Sequence, residues 1–294
     1  MKLKALRLGF AEFVSKDTSK MASYYEETMG YRQTEHAEDG SIYLSIGVDH
    51  HNIVIKPSDH ESIHCFGYQL DGTLPLNEVQ KILETQGIET QLKEDAKPGI
   101  KKYLELQDPD GNLIQLYNEM EQPSSGFGES GVVPLKLGHI AFYSTKIQKA
   151  VQFYQEALGF WFTDKIGDNF ANFLTCNSDH HTINIISSNK SKLHHIAFQL
   201  KDASHQYASS DLLARHGYPV IWGPSRHTAG HNIATYHFDP DKNVVELFID
   251  MDVYIPELGI YEPRPWHEEL PLKPRVWEGL SAWGTKFDMD LANV

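Results

Sequence analysis

The sequence of 294 residues has little cysteine, no long apolar run and an excess of acidic over basic residues. Two cysteines, Cys65 and Cys176, are too few for a disulfide framework, so a reducing compartment such as the cytoplasm is the simplest location. No apolar run approaches the roughly 20 residues that span a bilayer, which argues against a membrane protein. The 26 basic and 40 acidic residues give a net charge of −14, which disfavours binding to nucleic acid and to anionic membranes.

Histidine, by contrast, is abundant, with 16 residues in the chain. Because cysteine is nearly absent, a metal site in this protein would use nitrogen and oxygen ligands rather than thiolates. The content of 40% hydrophobic and 22% charged residues is typical of a globular protein. The length suggests about two domains.

The two halves of the chain match each other in order. The matched segments are LRLGFAEFV (6–14) with LKLGHIAFY (135–143), YYEETMGY (24–31) with FYQEALGF (153–160), DHHNIVI (49–55) with DHHTINI (179–185), HCFGYQL (64–70) with HHIAFQL (194–200), and DPDGNLIQLY (108–117) with DPDKNVVELF (239–248). Such self-similarity indicates a duplicated structural unit. DPDG and DPDK at matched places predict the same turn in both halves.

Each half twice shows a strand-like run, a helical segment and several short strand-like runs. The predicted fold class is therefore α+β, with two tandem domains that each contain a pair of βαβββ modules. Two helices are predicted over residues 147–158 and 204–216, the second ended by Gly217 and Pro219. The predicted ranges are 1–120 for the first domain, 121–134 for a linker rich in Gly, Ser and Pro, 135–250 for the second domain, and 251–294 for a tail that is a candidate lid.

The duplication makes each half a structural control for the other. Three matched strand positions carry metal-ligating side chains only in the second half: His139 against Phe10, His195 against Cys65, and Glu246 against Gln115. Two imidazoles and one carboxylate on one face, with the other coordination positions open, form the facial triad of non-haem iron(II) oxygenases. A metal ion would also offset the cost of burying a carboxylate within the apolar run VVELF.

Each of these side chains taken singly has an ordinary explanation. A lone buried histidine is more often a hydrogen-bonded core residue than a ligand, and a strand glutamate often faces solvent. The joint absence of all three from the first half favours a metal site. His194 has the counterpart His64, so a structural role explains it, and His180 is predicted to point to the opposite face from His181.

With these residues the sequence resembles the type I extradiol dioxygenases of the vicinal oxygen chelate superfamily over nearly its whole length. The motifs are LGHIAFY, LHHIAFQL and the terminal VELF. The resemblance implies the glyoxalase/bleomycin resistance/extradiol dioxygenase fold, a first domain without metal, and a catalytic second domain in which His139, His195 and Glu246 hold Fe(II) or, alternatively, Mn(II). It also implies insertion of both atoms of O2 into a catechol beside its hydroxyls, giving a muconic semialdehyde-type product of aromatic catabolism.

Three catalytic roles follow from the same resemblance. His181, in HHTINI, corresponds to the acid–base histidine, although the first half keeps DHHNIVI and a relic of the shared strand is the other interpretation. Arg226-His227, followed nine residues later by Tyr236 and then by Glu246, matches a motif whose His and Tyr hydrogen-bond the catecholate oxygens. Tyr236 could otherwise be an ordinary strand aromatic.

The residues assigned to the substrate pocket are Ala141, Phe173, Trp222, His227 and Tyr236. The first three are apolar, which favours a neutral or bulky aromatic diol. A carboxylate-bearing substrate would need a cation such as Arg226, Lys273 or Arg275, for which surface charge is the simpler interpretation.

Two other functions use the same scaffold. A glyoxalase or epimerase needs a fourth ligand and no dioxygen, and Phe10, Cys65 and Gln115 make the first half a poor source of that ligand. A metal-free binding protein, like the bleomycin-sequestering members, has no need of three ligands. The expected partners are a catecholic small molecule, O2 and further copies of the chain, since family members are generally multimeric.

Overall fold

The structure is a computed structural model that describes residues 3–123, 126–288 and 291. Parts of the predicted first domain (1–2), linker (124–125) and tail (289–290 and 292–294) lie outside the described residues. Each half of the chain forms one strongly curled sheet with few helices, which confirms the predicted α+β class. No helix in the described ranges is both long and apolar enough to cross a membrane.

The first half contains two βαβββ modules in an eight-stranded sheet of order β2-β3-β4-β1-β5-β8-β7-β6. Its elements are β1 (Ala5–Ser15), α1 (Thr18–Ser23), β2 (Arg32–His36), β3 (Ile42–Ser45), β4 (Ile53–Pro57), β5 (Ser62–Leu70), α2 (Leu76–Thr85), β6 (Thr90–Lys97), β7 (Ile100–Gln107) and β8 (Leu113–Tyr117), with a π-helical turn at Tyr24–Thr28. Helix α2 buries Leu76, Val79 and Leu83, whose three- and four-residue spacing places them on one face.

The second half repeats this plan. Its elements are β9 (Lys136–Ser144), α3 (Ile147–Glu156), β10 (Trp161–Ile166), β11 (Ala171–Thr175), β12 (Ile183–Ser187), β13 (Lys192–Gln199), α4 (Ala203–Arg215), β14 (Trp222–His227), β15 (Ile233–Phe238) and β16 (Val244–Ile249). The two predicted helices are present, and Gly217 follows α4 with a φ of +86°, a conformation that glycine adopts readily.

The residues after β16 add short strands to the second half. These are β17 (Tyr254–Ile255), β18 (Ile260–Tyr261), β19 (Val276–Trp277) and β20 (Ser281–Gly284). Strands β19 and β20 extend opposite edges of the second sheet, whose order is β19-β10-β11-β12-β9-β13-β16-β15-β14-β20. The tail therefore spans the sheet from one edge to the other. The four domain ranges given above remain predictions.

The DPDG turn of the first half packs against the second half. The Asp110 carboxylate accepts hydrogen bonds from the backbone N–H of Thr145 (3.0 Å) and from the hydroxyls of Ser144 and Ser191. The DPDK turn is closed from within, because Asp239 accepts hydrogen bonds from the backbone N–H groups of Asp241 and Asn243. Both turns close hairpins, and the DPDG turn also joins the first half to the second.

Candidate metal centre and active site

Three neighbouring strands of the second sheet, β9, β13 and β16, each place one predicted ligand around Ala197. On β13, Ala197 pairs with His139 of β9 on one side and with Glu246 of β16 on the other. His195 precedes Ala197 by two residues and therefore projects from the same face of the sheet. The small side chain of Ala197 leaves the space in which the three longer side chains meet.

The three donor atoms form a compact triangle. His139 Nε2 lies 3.1 Å from His195 Nε2 and 3.2 Å from Glu246 Oε2, and the third side, from His195 Nε2 to Glu246 Oε2, measures 3.0 Å. Metal–ligand bonds of roughly 2.0–2.2 Å at right angles separate their donors by about 3 Å. All three separations fit this value, so the donors occupy mutually adjacent positions and fit a facial triad.

All three side chains of the triad are at most 5% exposed, so electrostatic interactions among them are weakly screened by solvent. Burial lowers the pKa of His139, which favours the neutral imidazole. Burial would raise the pKa of Glu246, but the charges and hydrogen bonds of His139 and His195 outweigh it and hold that pKa well below the usual range. Neutral imidazoles and an ionised carboxylate are the forms that bind metal ions.

The triad faces a cavity of about 510 Å³. This volume lies within the range of roughly 300–1,000 Å³ that is typical of small-molecule sites. The walls contain aromatic and aliphatic side chains from the sheet, including Phe173 and Ile186, and from the tail, including Leu280 and Phe287. The site is therefore a largely apolar chamber with the triad as part of its lining.

His181 lines the same cavity and packs on His139, with ring centroids 4.2 Å apart. Its Nδ1 lies 2.9 Å from Nδ1 of His180, whose Nε2 contacts Asp164 Oδ2 at 2.9 Å. Burial, together with the neighbouring imidazoles His139 and His180, holds the pKa of His181 well below its ordinary value. His180 is buried behind the cavity wall, which is consistent with its predicted structural role.

His227 and Tyr236 also meet at the cavity. His227 Nε2 lies 2.9 Å from the Tyr236 hydroxyl, and Trp222 stacks on the Tyr236 ring with centroids 4.8 Å apart. Burial lowers the pKa of His227 to about 4. Burial, reinforced by the charge of Glu246, raises the pKa of Tyr236 well above its ordinary value. At neutral pH the pair therefore consists of a neutral imidazole and a protonated phenol.

Of the predicted substrate-contacting residues, Ala141 does not line the cavity. Phe173, Trp222, His227 and Tyr236 do line it. Ala141 pairs with Asn184 on β12 and with His195 on β13, and both of these longer side chains line the cavity. Its methyl group is fully buried between them.

The candidate cations for a carboxylated substrate lie elsewhere. The Arg226 guanidinium donates to the carbonyl of His231 and lies 4.5 Å from the Trp266 ring. Arg275 donates to Glu269 and lies 3.8 Å from the Trp277 ring, and Lys273 is exposed. In the described part of the chain, no arginine or lysine lines the cavity.

The sequence predicted no site role for the cavity residues Asn184 and Asn232, and it predicted a structural role for His194. Asn184 differs from the matched residue Val54, so comparison of the halves could have found it. Asn232 donates to Glu246 Oε1 at 2.9 Å, but it lies between β14 and β15, where the halves differ in length. His194 Nδ1 lies 2.6 Å from His195 Nδ1. Because the first half has a histidine, His64, at the matched position, comparison of the halves did not identify His194 as a site residue. A partner on the second nitrogen orients a ligating imidazole.

A second group of potential ligands lies where the tail contacts the loop between β14 and β15. His231, Asp252 and His267 place ligand atoms within 4.8 Å of one another. Asp252 Oδ2 contacts His231 Nδ1 at 2.6 Å, and its Oδ1 contacts His267 Nε2 at 2.9 Å and Trp266 Nε1 at 3.0 Å. Hydrogen bonds thus satisfy the carboxylate without an ion, and they fasten the tail to the sheet.

Comparisons with known proteins agree with this geometry. Residues 136–247 match the model of the Glyoxalase/Bleomycin resistance protein/Dioxygenase superfamily. The chain is 31% identical over 185 residues to metapyrocatechase 2 of Cupriavidus necator, a match that covers 56% of this chain and 58% of that protein. It is 26% identical to 3-methylcatechol 2,3-dioxygenase of Pseudomonas putida, with 82% and 88% covered.

Solved structures share the fold. The 2,3-dioxygenase LapB from Pseudomonas sp. KL28 superposes with a TM-score of 0.82 at 23% identity, covering 95% of this chain and 99% of that one. A Mn(II)-bound glyoxalase from Novosphingobium aromaticivorans superposes with a TM-score of 0.81 at 23% identity, covering 93% of this chain and 88% of that one.

A further relative in sequence is an iron-dependent extradiol dioxygenase of Rhodococcus jostii, which is 21% identical over 60% of this chain and 66% of its own length.

Proposed function

We propose that the chain, whose residues 136–247 match the glyoxalase/bleomycin resistance protein/dioxygenase superfamily, is an extradiol dioxygenase that cleaves a catechol ring next to the two hydroxyls. Both atoms of O2 enter the product. The observation that carries the proposal is the donor triangle of His139, His195 and Glu246, with sides of 3.0–3.2 Å, on the wall of an apolar cavity.

The proposed ligands are these three residues, and the proposed ion is Fe(II), with Mn(II) as the alternative. When bound, the ion supplies Lewis acidity toward the two ring hydroxyls and the redox chemistry that activates dioxygen. The residues fit this role, because Asn232 and His194 hold Glu246 and His195 in place from behind. Such outer contacts fix the orientation of metal ligands.

His181 is the proposed acid–base residue. Its Nδ1 contacts His180, which leaves Nε2 as the nitrogen that can exchange a proton with a molecule in the cavity. The imidazole is neutral at neutral pH because burial holds its pKa low, so Nε2 can take a proton from a substrate hydroxyl and return it later.

His227 and Tyr236 are the proposed substrate-orienting pair. Their mutual hydrogen bond of 2.9 Å and the stacked Trp222 fix both polar atoms at the cavity wall. A fixed donor and acceptor hold the oxygen atoms of a diol in one orientation, and the apolar walls around the pair exclude water. The tail contributes to this wall, because Trp222 Nε1 donates to the carbonyl of Thr285.

The test is anaerobic purification followed by metal analysis and oxygen uptake. We expect about one iron per chain and stoichiometric consumption of O2 with formation of a yellow product from catechols. Zinc or nickel at one per chain with no oxygen uptake would favour a glyoxalase instead. We further propose that the enzyme works in the cytoplasm and that it forms a homo-oligomer. Sedimentation of the purified protein tests the oligomeric state.

A further inference from the structure

We propose that Asn184 is a specificity-determining residue whose side-chain amide hydrogen-bonds a polar group on a ring substituent of an uncharged catechol. The inference rests on the proposed function and adds the class of catechol. It assigns to this chain a preference for diols whose substituent combines a hydrogen-bonding group with an otherwise apolar surface.

The position of Asn184 places it beside the ring-binding region. On β12 it pairs with Phe173 of β11 on one side and with Ala141 of β9 on the other. Ala141 follows His139 by two residues and lies on the same face of the sheet. The Asn184 side chain therefore lines the cavity next to the proposed metal ligands and next to His181, which precedes it by three residues.

The side chain of Asn184 is 7% exposed, and its Oδ1 atom has no hydrogen-bond partner among the described residues. An unpaired carbonyl oxygen in a buried position destabilises the folded protein. A ligand group that hydrogen-bonds the amide reduces that cost and gains affinity, whereas an apolar group of the same shape leaves the amide without a partner. The structure thus discriminates between two substituents of equal size.

The first half shows that packing does not require asparagine here. Its matched residue, Val54, lies in the same place between two strands, paired with Glu12 and Tyr43, and is fully buried. An apolar side chain therefore satisfies this strand position in the same fold. Asn184 therefore differs from its matched residue in the first half, as the three proposed metal ligands also do.

The remaining cavity wall defines the rest of the substituent. The next residue on the same face of β12 is Ile186, and the tail supplies Leu280, which packs against the apolar clusters on both sides of the cavity. No arginine or lysine of the described residues lines the cavity, so a carboxylate there would be unpaired. The favoured substituent is uncharged.

Binding without turnover is the first test. A matched pair of phenols, 2-hydroxybenzyl alcohol and 2-ethylphenol, differs only by O–H in place of CH3 on the substituent. Calorimetric titration of the metal-loaded protein without oxygen should give a dissociation constant at least about fivefold lower for the alcohol. Asn184→Leu and Asn184→Val should remove this preference, and Leu258→Ala, at an exposed tail residue, should keep it. An equal affinity of the wild-type protein for both phenols would overturn the proposal.

Turnover is the second test. For hydroxymethylcatechols and ethylcatechols substituted at ring position 3 or 4, we expect kcat/KM to favour the hydroxymethyl compound by at least about tenfold at one of the two positions. Either Asn184 variant should bring that ratio to about one while unsubstituted catechol is still cleaved. A preference that survives both variants would contradict the assignment to Asn184. If no catechol is cleaved, the proposed function fails, and the phenol titration still decides the role of Asn184.

Discussion

The two halves of the molecule share a fold and a strand register, yet among the described residues the ligand triad and the cavity that it faces belong to the second half. In the first half the ring of Phe10 occupies the place of His139, and Gly67 makes room for it, since a Cβ there would lie 2.1 Å from that ring. In the second half Ala197 takes the place of Gly67 between the proposed ligands. A single ring thus closes one site, and its absence leaves the other open.

The first half also satisfies its buried charge internally. Glu12, which matches Ala141, is fully buried and forms ion pairs with Lys97 and with Lys56. Lys97 Nζ lies 4.3 Å from the centroid of the Phe10 ring. Among the described residues, no lysine or arginine contacts the triad of the second half, and its carboxylate instead contacts the imidazoles of His139 and His195 and accepts from Asn232. The comparison shows how one scaffold supports either a packed core or a binding site.

The largest expected effect comes from giving the second half the residue of the first at a ligand position. Glu246→Gln keeps the shape of the side chain but removes the charge that the triad needs, so we expect metal content below about a tenth of wild type and at least about a thousandfold loss of oxygen uptake. Metal analysis and an oxygen electrode measure both. The converse change, Gln115→Glu, should give no second metal, because Phe10 and Cys65 remain. Full metal content in Glu246→Gln would refute the ligand assignment.

The two matched histidines His181 and His51 should differ in how much each contributes to kcat. His181→Gln should retain its metal and lose about 10²–10⁴-fold in kcat, because the loss of a positioned acid–base group costs that much. His51→Gln, corrected for the fraction of folded protein, should change kcat by less than about threefold. Stopped-flow rates on metal-replete protein decide. A near-normal rate for His181→Gln would reduce it to a relic of the shared strand.

A substitution of Lys97 tests whether its ion pair with Glu12 stabilises the packed site of the first half. Lys97→Met leaves the buried Glu12 with Lys56 and, at 3.7 Å, His64 as its remaining partners, so we expect about 3 kcal/mol less stability with metal content unchanged. Urea denaturation with metal analysis measures both. A variant with wild-type stability would show that this pair is dispensable for closing the site.

The stability lost in Lys97→Met should depend on pH, because it depends on the ionisation of the Glu12 carboxylate. Burial would raise the pKa of Glu12, but Lys97 and Lys56 outweigh it and lower that pKa. A lowered pKa contributes stability above the unfolded value of roughly 4.3 and loses it as pH falls through the folded value. The difference between wild type and Lys97→Met should therefore be largest at neutral pH and shrink below about pH 4.

The smallest effect concerns a contact that only the second half possesses. Both halves have a carboxylate bonded to the first histidine of the DHH motif, but Glu35 is 41% exposed whereas Asp164 is 2% exposed and accepts the Trp277 indole N–H at 2.7 Å. Trp277→Phe removes one of several donors, so we expect about 1 kcal/mol less stability and less than a tenfold change in kcat. Thermal unfolding and steady-state rates measure these. Loss of metal would instead place the tail among the determinants of the triad.

The sequence alone predicts the duplication, the repeated βαβββ modules, the α+β class and the three side chains that converge on one point. These features are readable because strand and helix periodicity is local, and because a repeat compares each position with its structural equivalent. His139, His195 and Glu246 stood out as departures from a pattern that the chain itself supplies.

Which other side chains reach the cavity depends on how the strands and the tail pack together. Asn232 and His194 meet the triad through contacts between segments distant in the chain, and the tail supplies Leu280 because β20 pairs with the edge strand β14. Ala141 does not line the cavity, because the longer side chains of its strand partners Asn184 and His195 cover it. Side-chain reach across a curled sheet depends on curvature and register together, and no local pattern in the sequence encodes these two quantities.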